Sequence, residues 1–104
     1  MKLHVIEDPI IKQLGNSGVR MTCVIGSGVR PAFSWTLNDA PIGDDTVPGT
    51  SSKFKFKDEE YGPDKYKATC IVENIDTTTQ GKYSCVATTS EGTVTALFTV
   101  GSTE

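Results

Sequence analysis

The sequence predicts an all-β fold, a sandwich of two antiparallel sheets, and three observations carry that prediction. Apolar residues recur at every second position in short runs, the mark of strands with one buried face. Gly, Pro, Asn and Asp bound those runs repeatedly, as tight turns between strands require. Helical periodicity is absent over any useful length of the 104 residues, a size that suits one domain around one modest core. Residues 1–104 are therefore expected to be a single domain.

Cysteine 23 ends an alternating apolar run, Trp35 follows twelve residues later, and Gly81-Lys82-Tyr83-Ser84-Cys85 brings in a second cysteine. This arrangement resembles an immunoglobulin-type β-sandwich. The resemblance implies a disulfide between Cys23 and Cys85 across two sheets, A-B-E-D and A′-G-F-C-C′, with strands lettered in chain order. It also implies that Trp35 packs on that bridge and that Tyr83 hydrogen-bonds back to the connection before its strand, the tyrosine corner. Cys70 is the odd one of three cysteines. It alternates with Ala68 and Val72 and is expected to be a small buried hydrophobe.

Each element follows from alternation and turn signals. The first run, Leu3 to Glu7 (A), breaks at Asp8-Pro9 and resumes as Ile10 to Leu14 (A′). Proline cannot donate to a ladder, so the chain is expected to leave one sheet here and join the other. Strand B places Val19, Met21, Cys23 and Ile25 inward, and Arg20, Thr22 and Val24 outward. Strand C buries Phe33, Trp35 and Leu37; Asn38-Asp39 then signals a turn into a short C′ at Pro41-Ile42-Gly43. Asp44 to Ser52 is expected to be irregular. Strand D, Lys53 to Lys57, buries Phe54 and Phe56 and turns three lysines outward. The acidic stretch Asp58 to Asp64 reads equally as a variable or contact loop and as a solvated turn. Strand E, about Tyr66 to Glu73, points Tyr66, Ala68, Cys70 and Val72 inward and Lys67, Thr69, Ile71 and Glu73 outward. A single helical turn is expected at Asp76 to Thr79 in the connection to strand F, whose inward residues are Tyr83, Cys85 and Ala87. Strand G completes the core with Val94, Ala96, Phe98 and Val100, and Gly101 to Glu104 is a tail or linker.

Gly18 to Cys23, Phe33-Ser34-Trp35, Cys70 to Ile75 and Gly81 to Ala87 resemble an intermediate-set (I-set) immunoglobulin domain of cell-adhesion receptors. Phe33 to Ile42 is similar to the Down syndrome cell adhesion molecule (Dscam) family, including its shorter arthropod members. That resemblance implies homophilic adhesion: the domain binds another copy of itself as an antiparallel two-fold dimer. A disulfide-bearing domain belongs in an oxidising compartment. The parent protein is accordingly expected to be extracellular, membrane-anchored or secreted, with Met1 an excision boundary. Thr79 stands where the family commonly has an aspartate that ties the sheet edge, and Thr89 where an asparagine is common.

Composition and motifs exclude other classes. Ten basic residues against thirteen acidic ones provide no clustered positive charge for nucleic acid or an anionic membrane. No apolar run approaches the roughly 20 residues of a membrane helix. A catalytic constellation would have to rest on the single histidine, His4, so no catalytic residue is assigned. Cys23, Cys70 and Cys85 lack a Cys-x-x-Cys clip, and neither Asp44-Asp45 nor Asp58-Glu59-Glu60 has calcium-loop spacing, so no metal site is expected. Gly26-Ser27-Gly28 precedes a strand rather than a helix and cannot cradle phosphate, and no cofactor is expected. No Asn-x-Ser/Thr glycosylation site occurs.

Recognition of a protein partner through a surface remains. On the outer face of A-B-E-D, Val24 and Ile71 are expected to face water among Thr22, Lys55, Lys67, Thr69 and Glu73, and these seven residues are the first choice for partner binding. On the opposite sheet Val86 and Leu97 lie outward among Thr36, Thr88, Thr95 and Thr99, the second choice. Two other classes compete: a structural spacer in an intracellular filament protein, and an immune-type receptor domain that binds through loops. The oxidation state of the cysteines separates the first from adhesion. Face mutations against loop exchanges separate the second.

Overall fold

The computed structural model describes residues 3–43 and 53–101. The irregular stretch expected at 44–52 and the tail residues 102–104 lie outside the described residues. Among the described residues the strands are β1 (His4–Leu14), β2 (Gly18–Gly26), β3 (Ala32–Leu37), β4 (Ala40–Ile42), β5 (Phe54–Glu60), β6 (Lys65–Val72), β7 (Gly81–Thr89) and β8 (Gly92–Val100). They form two four-stranded antiparallel sheets, ordered β1-β2-β6-β5 and β4-β3-β7-β8. These are the expected A-B-E-D and C′-C-F-G sheets, and the all-β, immunoglobulin-like sandwich is as predicted.

The two sheets meet on the residues that cysteine parity assigned inward. Met21, Cys23, Ile25, Ala68, Cys70 and Val72 come from one sheet, and Trp35, Tyr83, Cys85, Ala87, Ala96 and Phe98 from the other; all are buried. Trp35 lies directly across from Cys85 in the β3–β7 ladder. Its ring stacks on Phe98 with centroids 5.7 Å apart and meets Phe56 at 6.5 Å. Phe54 meets Phe56 and, edge-on, Tyr83, each at 6.2 Å. Aromatic pairs at such separations add to the burial of their own area.

Turn chemistry sets the strand ends. Asn38 and Asp39 have φ of 51° and 70° and join Leu37 to Ala40. This is the left-handed two-residue hairpin that suits the twist of paired strands. The Asn38 carboxamide oxygen accepts the Lys82 N–H at 3.0 Å, and the Asn38 N–H donates to the Lys82 carbonyl at 2.8 Å. Gly81 is held there for two reasons: its φ is +140°, and a Cβ would sit 2.5 Å from the Asn38 side-chain oxygen.

The connection from β6 to β7 contains the expected single turn, closed by Thr79 and Gln80 N–H groups donating to the Asp76 carbonyl at 3.1 and 3.0 Å. Asp76 caps it: its carboxylate accepts the Thr78 N–H at 2.8 Å and the Thr79 N–H at 3.1 Å. Thr79 reciprocates, accepting the Asp76 N–H at 2.8 Å and donating to the Asn74 carbonyl at 2.9 Å. This is a capping box with threonine in the return position. The hydrogen bonds from the Thr78 hydroxyl and N–H hold the Asp76 carboxyl below the usual aspartate range. Thr79 itself is buried, and its hydroxyl is satisfied within the turn. The Tyr83 hydroxyl donates to the Thr79 carbonyl, the tyrosine corner expected from sequence.

Two expectations are corrected. Ile10 to Leu14 does not cross to the second sheet: it pairs with β2 from Ile10 opposite Thr22 to Leu14 opposite Gly18. Register shifts on either side of Glu7 absorb Asp8-Pro9 as an irregularity in an edge strand, where proline is tolerated. The second sheet thus lacks A′, and Ile10 and Ile11 remain 54% and 42% exposed. The acidic loop is partly strand, since Asp58, Glu59 and Glu60 continue β5 against Ala68, Lys67 and Tyr66. Cys23, Cys70 and Cys85 are all buried, and their thiols are free in this structure. Cys23 and Cys85 meet across the sheets. A hydrogen bond from Cys85 favours the Cys23 thiolate, and the same contact, with burial, pushes the Cys85 thiol up. Cys70 is buried as expected, which pushes its thiol up to about 12.

Candidate protein-binding face

The outer face of β1-β2-β6-β5 is a ladder of register pairs. Across the four strands, outward residues fall into rows: Glu7, Val24, Lys67 and Glu59; then Ile10, Thr22, Thr69 and Lys57; then Lys12, Arg20, Ile71 and Lys55. Strand alternation makes these rows, because every second residue of each strand points to one face. The face is hollowed into a groove of about 430 Å³, lined among others by Ile10, Thr22, Val24, Tyr61, Thr69 and Ile71.

All seven sequence-predicted binding residues belong to this face or its margin. Thr22, Val24, Lys67, Thr69 and Ile71 line the groove. Lys55 and Glu73 stand beside it and pair at 2.8 Å, an interaction that raises the Lys55 pKa. Val24 departs from expectation. It does not face water but is 3% exposed, because its register neighbours are Glu7 on β1 and Lys67 on β6, long side chains that cover an apolar neighbour with their methylenes. Ile71 is half-buried between Arg20 and Lys55.

Sequence reasoning missed the flanks of the groove. Ile10 supplies its most exposed apolar side chain, and the signal was hidden by the expectation that the second half of β1 belongs to the other sheet. Tyr61 was placed in a loop. Extending the alternation of β5 past Lys57 puts Glu59 and Tyr61 on the outer face, where Glu59 meets Lys57 at 3.4 Å and the Lys67 ammonium lies 4.8 Å from the Tyr61 ring centroid. Such a cation–π contact at an exposed site is worth about 0.5–1 kcal/mol.

Beyond the groove, Arg30 bonds to the Asp58 carboxylate and carbonyl and lies 5.8 Å over the Tyr66 ring. With the Ser27 N–H donating to the Asp64 carbonyl at 3.0 Å, this ties the β2–β3 loop to the β5–β6 hairpin. The opposite face, over β3-β7-β8, is threonine-rich and carries one prominent apolar side chain, Leu97, 70% exposed. Among the described residues no group of three or more His, Cys, Asp or Glu is arranged to hold a metal ion, and no helix is long and apolar enough to cross a membrane.

Two antiparallel sheets that enclose Trp35 and the facing Cys23 and Cys85, locked by a tyrosine corner, define an immunoglobulin-like domain, a class that often mediates protein interactions. The chain belongs to the immunoglobulin I-set domain family, which matches residues 7–101. No curated protein matches the sequence. Among solved structures, the chain is similar to titin M4 at 16% identity and a TM-score of 0.73, covering 97% of this chain and 95% of that one. It is similar to Dscam1 Ig7, isoform 9, at 19% identity and a TM-score of 0.62, covering 92% and 100%. It is also similar to a C. elegans twitchin kinase fragment, an autoregulated protein kinase with immunoglobulin domains, at 18% identity and a TM-score of 0.68; 96% of this chain is covered, and the chain spans 20% of that fragment. At these identities the likeness is one of fold.

The burial of Val24 has a measurable consequence. Val24→Ala removes the equivalent of two buried methylenes and is expected to lower stability by about 1.5 kcal/mol in urea unfolding. A change near zero would mean that Val24 faces solvent.

Proposed function

We propose that this domain is an extracellular recognition module that binds protein, and specifically another copy of itself, through the outer face of β1-β2-β6-β5. The observation that carries this reading is the composition of that face. An exposed Ile10, a half-buried Ile71 and a central Thr22–Thr69 pair lie among side chains of both charge signs. Apolar anchors give affinity, and a surround of mixed charge gives specificity. A two-fold contact needs one patch complementary to itself, and a face holding both signs can meet that need. The resemblance to adhesion receptors supports the reading, as does the similarity to Dscam1 Ig7. Thr22, Lys55, Lys67, Thr69, Ile71 and Glu73 remain the proposed contact set, with Ile10 and Tyr61 added, while the buried Val24 drops out of it.

Ile10→Asp tests it. Ile10 is 54% exposed, so the substitution is expected to alter stability by no more than about 0.5 kcal/mol. Sedimentation should show self-association weakened by at least about tenfold, the loss typical of an anchor residue. An unchanged dimer fraction would remove this face as the interface.

A second reading has its own support. Three buried free thiols, with similarity to titin and twitchin, favour a structural spacer in an intracellular filament. A thiol count on natively purified protein, unfolded without reductant, separates the two. The extracellular reading expects one reactive thiol, from Cys70, with Cys23 and Cys85 bridged; the spacer reading expects three thiols.

A further inference from the structure

Resting on the reading that this face binds a second copy, in the antiparallel arrangement that the resemblance to adhesion receptors implies, we propose that four charged residues, Glu7, Lys12, Glu59 and Lys55, fix that orientation, with the two-fold axis running across the strands through the row Ile10-Thr22-Thr69-Lys57. When two like faces meet, the axis relating them lies in the plane of contact. The register leaves two principal choices, because the face is a grid of strands and rows.

An axis across the strands lays each strand over its own counterpart, running the other way, and exchanges the outer rows. Glu7 then opposes Lys12 of the second copy and Glu59 opposes its Lys55, and each pairing occurs twice by symmetry. The central row meets itself, with Ile10 on Ile10 and threonines on threonines. Lys57 also meets itself, but at the open edge of the sheet, where it is 70% exposed and held by Glu59 at 3.4 Å.

An axis along the strands instead lays β1 over β5 and keeps each row on itself. Glu7 then opposes Glu59 and Lys12 opposes Lys55, and Ile10 meets Lys57. Like charges brought face to face across an interface are costly and reject that partner geometry. The same four residues therefore favour one orientation and oppose the other.

The test uses Lys55→Glu and Glu59→Lys, each alone and then mixed in equal amounts, with sedimentation as readout and thermal melts to show that each variant is folded. With the axis across the strands, each variant alone places like charges in opposition and loses self-association by at least about tenfold. The mixture recovers a heterodimer, because the two charge reversals compensate. Glu7→Lys and Lys12→Glu repeat the experiment on β1, free of the Lys55–Glu73 pair, and are expected to behave in the same way. If either Lys55→Glu or Glu59→Lys alone tightens self-association, the axis runs along the strands; the orientation is overturned while the binding face stands. If the wild type dimerises and none of the four variants alters it, the face is not the interface. A wild type that stays monomeric at every concentration overturns the self-binding reading itself.

Discussion

The contact between Cys23 and Cys85 beneath Trp35 is the constraint on which the rest of the structure depends. Cys23 lies on β2 and Cys85 on β7, one in each sheet, and Trp35 pairs with Cys85 in its own ladder. Fixing which way those two cysteines point fixes every other side chain of β2 and β7, because side chains alternate strictly along a strand. The ladders then carry that parity outward, from β2 to β1 and β6 and from β6 to β5. A slip of one residue anywhere would move a whole strand's apolar set to water. Whether the two sulfurs are bonded or merely in contact, the geometry that orients the outer faces is the same.

Parity was fully legible in the sequence, and so was everything that depends on it alone. The inward positions of Met21, Ile25, Ala68, Val72, Ala87 and Phe98 are all buried, and the outward positions of Thr22, Lys67, Thr69 and Ile71 do gather on one face. The Asn38-Asp39 turn and the tyrosine corner were readable because each rests on a local chemical requirement: a left-handed conformation in one case, and a hydroxyl two residues before a cysteine in the other. What parity cannot supply is what covers a side chain. Val24 points outward as expected and is still buried, because cover on a sheet face comes from the length of cross-strand neighbours rather than from direction.

The second gap was strand membership at the edges. Asp8-Pro9 marks an interruption, but a proline in an edge strand is equally compatible with a crossing to the other sheet and with a bulge that keeps the old partner. The chain takes the bulge, and Ile10 joins the face that carries the proposed function. Likewise Asp58-Glu59-Glu60 has the composition of a loop. Lys67 and Tyr66 on β6 provide the pairing that keeps it extended, and a tertiary partner of this kind overrides local preference. Both errors concealed residues at the margins of one groove.

The central claim is that the cysteine–tryptophan frame turns one sheet face into a self-complementary docking surface. Backbone amide chemical shifts followed over a dilution series of the wild-type domain test this most directly. The account predicts concentration-dependent shifts in the strands of that face, at residues 7–12, 20–24, 55–60 and 67–71, with β8 unchanged around Leu97. Shifts centred on Leu97 and Val86, or none at any concentration, would contradict it.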